Sequence, residues 1–257
     1  MWKILRDHAQ GTSHKATGVP CQDAEMSNIF GSGDNEVLFL CCSDGAGSAP
    51  LSNKGSETAC WSLSHCIEKT LSDGTPLGQL TKDHIISWYV GAAAAIVKEA
   101  ENLNAQPRDL SCTLLGALIG RDIALFFQLG DGGIVISADG AYQPVFWPQH
   151  GEYVNETHFL TDSNLINEIE YEIRQSRIEE VALFTDGLQP LVLDYARKTA
   201  HAPFFNQMFT TLRNGELNDL HVPFSQFLDS SRVNERSDDD KTLILAIRVE
   251  DNVPSSL

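Results

Sequence analysis

LFLCCSDGAGSAP, residues 38–50, is an apolar run that ends on a carboxylate. Leu38 to Cys42 seek burial as a strand, Asp44 arrives at its end, and Gly45 lets the chain turn sharply. The pattern recurs in LFFQLGDGG (125–133), which reaches Asp131, and in VALFTDGL (181–188), which reaches Asp186. A fourth acidic cluster, Asp238 to Asp240, immediately precedes the apolar run TLILAIRV (242–249). Any one of these alone is a turn or a solvated loop. Four acidic strand ends, far apart in sequence, could converge only around something cationic, and together they read as a binuclear metal site.

Working outward, Ile29-Phe30 and the turn signal GSGDN (31–35) make a hairpin with the strand into Asp44. Upstream, Trp2 to Leu5 is a short strand, and GTSHKATGVPCQDA (11–24) reads as an irregular loop carrying His14, Gln22 and Asp23. Downstream the period changes: Cys60, Leu63, Ile67 and Leu71 share one helical face. Ile85, Trp88, Ala92, Ala95, Ile96 and Glu99 share another, behind Thr81 as N-cap. The two helices are expected to pair antiparallel over a sheet. CTLLGALIG (112–120), IALFFQLG (123–130) and GIVISA (133–138) are three strands. Their turns are too short for a parallel crossover, so all three are expected to lie as antiparallel neighbours. Residues 142–167 are read as loops and short strands at a rim. Glu179 to Phe184 is a further strand, Phe204 to Leu212 and Leu217 to Leu228 are helices, and Leu243 to Val249 is the last strand. With no repeat or linker, residues 1–257 are expected to form a single α+β domain, two antiparallel sheets face to face and flanked by helices.

Eighteen basic against 35 acidic side chains leave a formal charge of −17. That balance argues against nucleic acid or an anionic membrane as the main partner, since both need a basic footprint. The six cysteines form no C-x-x-C pair and are expected to be reduced packing residues, with Cys41 and Cys42 pointing to opposite strand faces. The N-terminus lacks a signal-peptide core and no run approaches the about 18 apolar residues of a membrane span, so the expected localisation is cytoplasmic.

Carboxylate oxygens are hard ligands that suit Mg2+ or Mn2+ better than zinc. Two such ions, about 3.5–4 Å apart, can orient and activate a water for in-line attack on phosphorus. Competing motifs fail: the glycines around Asp131 are followed by a strand rather than a helix, and no P-loop, zinc-protease, EF-hand or nucleophile-elbow pattern occurs.

The series GTSH…CQDA, SDGAGS, SCTLLG, LGDGG, FTDG and SDDDKT resembles the type-2C metal-dependent serine/threonine protein phosphatases. The likeness spans nearly the whole chain and is strongest to a compact bacterial branch, which the segment HGEYVNETHFLTD (150–162) also resembles. It implies a four-layer αββα sandwich with the metals at one edge, two ions of Mn2+ or Mg2+ and a weaker third. By the same resemblance Asp44 would bridge the two ions and the Gly45 carbonyl would ligate one. Asp186 and Asp239 would ligate the other, Asp131 with Asp186 would hold the third, and Asp23 would hold a water on the metal. Asp44, Asp186 and Asp239 are thus the expected catalytic residues. Thr113 matches a structural position. The implied partner is a phosphorylated protein, a kinase or its targets.

Three positions depart from the family pattern. His14 stands where many members carry a phosphate-clamping Arg, Gln22 replaces a usual Glu beside Asp23, and Ala46 replaces a proposed general acid of eukaryotic members. Fewer charges imply weaker metal retention and a need for millimolar Mn2+. The alternative reading is a metal-binding pseudophosphatase that recognises a phosphoprotein without turning it over.

Overall fold

The computed structural model describes residues 1–138, 140–148 and 157–249. In chain order its elements are β1 (Trp2–Ala9), α1 (Thr12–Thr17), β2 (Ala24–Phe30), β3 (Val37–Ser43), α2 (Ser52–Ser72), α3 (Lys82–Asn102), β4 (Leu114–Ile119), β5 (Ala124–Leu129), β6 (Gly133–Ala138), β7 (Ala141–Pro144), α4 (Leu165–Glu168), β8 (Glu170–Arg174), β9 (Glu180–Phe184), α5 (Gln189–Val192), β10 (Leu193–Asp194), β11 (Thr199–Ala200), α6 (Ala202–Asn214), α7 (Leu217–Leu228), α8 (Ser231–Asn234) and β12 (Lys241–Arg248). Two five-stranded sheets, ordered β1-β12-β9-β6-β7 and β2-β3-β4-β5-β8, are antiparallel throughout.

Strand alternation builds the layers. Leu38, Leu40 and Cys42 of β3 face Ile244 and Ala246 of β12 and Leu183 of β9 between the sheets. Phe39 and Cys41 face the other way, into a core closed by Leu63 and Ile67 of α2 and Trp88, Ala92 and Ile96 of α3. Leu243, Leu245 and Ile247 turn outward onto Phe205, Phe209 and Leu212 of α6 and Leu228 of α7. The result is helix, sheet, sheet, helix, as expected. All six cysteines are free thiols.

Two sequence expectations need correction, and one strand went unread. β6 does not lie beside β5: β5 pairs with β4 and β8, and β6 joins the opposite sheet. The turn at 130–132 is therefore a corner between sheets, made possible by Gly130 at φ 104°. Within residues 11–24, Thr12–Thr17 is helical rather than irregular, closed by Gly18 in the left-handed region. Finally β8 is an unforeseen strand on the edge of the second sheet. Of the branch-specific segment, residues 150–156 lie outside the described residues.

Candidate metal centre

Beyond Ser43 the β3 chain stays paired. The Asp44 amide donates to Thr113 Oγ1 at 2.9 Å, the Thr113 amide donates to the Asp44 carbonyl at 2.8 Å, and Ser43 Oγ donates to the Thr113 carbonyl at 2.5 Å. Gly45 bridges to Cys112, and the Ala46 amide donates to the Ser111 carbonyl. The aspartate backbone is thus clamped while its carboxylate projects from the sheet edge. Thr113 has the structural part expected of it.

Asp44, Asp131 and Asp186 come together there: one carboxylate oxygen from each lies within 4.8 Å of the others. They reach one point because β3 ends in one sheet, β9 ends in the other, and Asp131 sits on the corner joining both. Like charges this close are unfavourable without a counter-ion. Burial and the charges of Asp186 and Asp23 hold the Asp44 carboxyl well above the ordinary carboxylate range. Burial and Asp131 push Asp186 up to about 7. Asp186 Oδ1 is buried with no hydrogen-bond partner among the described residues, and Asp23 Oδ1 is likewise. Hard oxygen donors, mutual repulsion and unpartnered buried oxygens together fit a divalent cation of the Mg2+ or Mn2+ kind.

Asp23 lies just behind. Its Oδ2 accepts from Thr185 Oγ1 and Thr242 Oγ1, both at 2.7 Å, so it ties the ends of β9 and β12 together. Burial outweighs those two hydrogen bonds and raises its pKa to about 8. Asp239 is exposed and outside the close trio, but near enough that its charge helps raise Asp186. The residue that sequence reasoning missed is its neighbour. Asp240 is buried, and its two oxygens accept from the Gly11 amide at 2.6 Å and the Gln22 amide at 2.5 Å. His14 Nδ1 lies 2.9 Å from Asp240 Oδ2. Asp240 therefore holds the α1 segment, with His14 and Gln22, against the metal edge. His14 and Gln22 line a depression of about 580 Å3 with Ser13, Thr17, Gly47 and Ser48.

The Protein phosphatase 2C family model matches residues 10–222. This chain belongs to the protein phosphatase 2C family. It is 34% identical over 255 residues to Serine/threonine-protein phosphatase 3 of Escherichia coli (strain K12), covering 97% of this chain and 99% of that one. Among solved structures it resembles a bacterial serine phosphatase, with a TM-score of 0.69 at 17% identity over 98% and 100% of the two chains. It also resembles the catalytic domain of the serine threonine protein phosphatase PstP in complex with two manganese ions, with a TM-score of 0.60 at 17% identity over 97% and 99%. Membership in the family agrees with the architecture and with the acidic edge. Among the described residues no helix is long and apolar enough to cross a membrane.

Proposed function

We infer that this protein hydrolyses phosphoserine and phosphothreonine esters in proteins, with Mn2+ or Mg2+ at the acidic edge. The convergence of Asp44, Asp131 and Asp186 carries the reading, in a chain of this family. When bound, the ions supply Lewis acidity toward the phosphoryl group and activate water at neutral pH. Asp44, Asp186, Asp239, Asp131 and the Gly45 carbonyl are the proposed holders of metal.

The other side chains orient and exclude. Asp23 offers Oδ1, the oxygen its two threonine partners leave over, as acceptor for the attacking water. His14 lies on the lip of the depression with Nδ1 toward Asp240, which leaves Nε2 for a phosphate oxygen. Ala46 has a buried methyl group and no proton to give, so no side chain at this position protonates the leaving alkoxide. Residues 1–257 act as one catalytic unit in this proposal, because the site draws on both sheets. The substrates are phosphoproteins, namely a kinase or its targets.

Asp44→Asn and Asp239→Asn are each expected to lower Mn2+-dependent hydrolysis of a phosphothreonine peptide by at least about 100-fold with the circular dichroism spectrum unchanged. Wild-type turnover in either variant would falsify the assignment of that residue. Loss of no activity on exhaustive chelation would remove the metal from the reading. His14→Ala is expected to raise KM for the peptide more than it lowers kcat, as removal of a ground-state phosphate contact requires. A change confined to kcat would reassign His14.

A further inference from the structure

Asp131 sits on a corner flanked by Gly130 and Gly132, where the backbone by itself would wander. Three consecutive carbonyls of that corner are nevertheless each tied to a glutamine amide. Gln128 Nε2 donates to the Gly130 and Gly132 carbonyls, both at 3.0 Å. Gln189 Nε2 donates to the carbonyl between them, that of Asp131. The Asp131 carboxylate is held separately, its Oδ2 accepting from Thr157 Oγ1 at 2.6 Å.

Neither glutamine is explained by packing. Gln128 is fully buried in the apolar strand β5, and its Oε1 finds no partner among the described residues. An apolar side chain of similar size would suit that strand better, so what the amide contributes is its two N–H donors. Gln189 is the first residue of α5, three positions after Asp186. Its amide joins Asp131 to the same short segment that carries Asp186, and so sets the two acids in register. A glutamine amide could present either face, and Tyr195 selects one: its hydroxyl donates to Gln189 Oε1, which leaves Nε2 for Asp131. Trp147 packs edge-on against the Tyr195 ring, with centroids 5.5 Å apart and planes at 88°.

We propose that Gln128, Thr157 and the Tyr195–Gln189 pair form a cradle that positions Asp131 toward Asp44 and Asp186, so that these residues set the affinity of the ion Asp131 binds without touching that ion. The inference rests on the metal reading of the acidic edge. None of the four supplies a ligand to the reaction; they are positioning residues.

Full-length apoprotein titrated with Mn2+, followed by the electron paramagnetic resonance of free Mn2+ and by calorimetry, tests this directly. Asp131→Asn sets the benchmark by weakening the most weakly held ion. Thr157→Val is expected to weaken the same ion by about 5-fold, the effect of one lost hydrogen bond. Gln189→Met keeps the length, adds no charge and cannot donate to the Asp131 carbonyl, and is expected to weaken it by about 10-fold. Tyr195→Phe is expected to have a smaller effect in the same direction. The tightest ion keeps its wild-type Kd in all of them, and the chelated variants unfold at temperatures close to wild type. Variants that match wild type at every ion, or that weaken all ions alike, overturn the cradle. Wild-type protein that binds no Mn2+ overturns the metal reading, and the cradle with it.

Discussion

Glu25 stitches the edges of the two sheets together. It stands on β2, and its Oε1 accepts from Arg6 Nη1 at 3.1 Å while its Oε2 lies 2.6 Å from His8 Nδ1, both partners being on β1. The hydrogen bond to Glu25 raises the His8 pKa above 6.5, outweighing the burial that opposes it. A histidine whose folded pKa is raised contributes stability that is fully present below its unfolded value and is lost as pH rises through the folded value. His8 is 42% exposed, so solvent screens most of the pair's attraction. His8→Gln is therefore expected to cost about 0.5 kcal/mol in urea denaturation at pH 5.5 and close to nothing at pH 8.5. An equal cost at both pH values would show that the imidazole acts by packing and not by charge.

The strand ends carry the site, and their fit is tight where the Asp186 segment meets the start of β12. A Cβ on Gly187 would fall inside the van der Waals shell of the Asp240 carbonyl, whereas one on Gly47 would meet nothing. Gly187→Ala is expected to cost about 1–3 kcal/mol by overpacking, lowering Tm by about 2–4 °C for each kcal/mol, while Gly47→Ala leaves Tm unchanged. Equal melting temperatures for both variants would mean that the β9–β12 junction yields easily. These contacts also explain what could be read without coordinates. α2 and α3 were legible because each buries a stripe of helical period, and β3 and β12 because each is a continuous apolar run buried on both faces. α1 was not, since none of its six residues is buried and its anchor is a hydrogen bond from Gly11 to a side chain 229 positions away. β8 (EYEIR) alternates regularly, but its apolar Tyr171 and Ile173 are the exposed positions on the sheet edge, so no buried stripe marks it. The strand order at residues 130–132 was misread because a short turn forces pairing only if both strands stay in one sheet. Asp44, Asp131 and Asp186 were legible as acids ending apolar runs. Asp240 was hidden in a run of three aspartates, because what fixes its carboxylate is the pair of amides of Gly11 and Gln22 at the other end of the chain. Gln128 did leave a signal, as the lone polar residue in ALFFQL.

Across the whole molecule, a net charge of −17 and an edge of crowded acids make the metal-free fold an electrostatic compromise that pH exposes. In the folded apoprotein Asp23 titrates at about 8 and Asp186 at about 7, with Asp44 also well above its ordinary value, all through burial first and neighbouring carboxylates second. The same groups titrate near 4 in the unfolded chain. Between about pH 4 and pH 8 the folded state therefore binds more protons than the unfolded state, and its stability falls as pH rises. A divalent cation reverses this, because it favours the ionised carboxylates and displaces their protons. Chelated protein is expected to melt at its highest temperature near pH 5 and progressively lower toward pH 8. Mn2+ in turn should raise Tm more at pH 8 than at pH 5.5 and release protons on binding, measurable by calorimetry in two buffers of different ionisation enthalpy. Asp23→Asn should flatten the fall of the apoprotein between pH 6 and pH 8, since it removes the higher of these two titrations while leaving a partner for Thr185 and Thr242. An apoprotein whose Tm rises steadily from pH 5 to pH 8 would mean that the acids at this edge are already ionised without metal, and the electrostatic case for the site would fail.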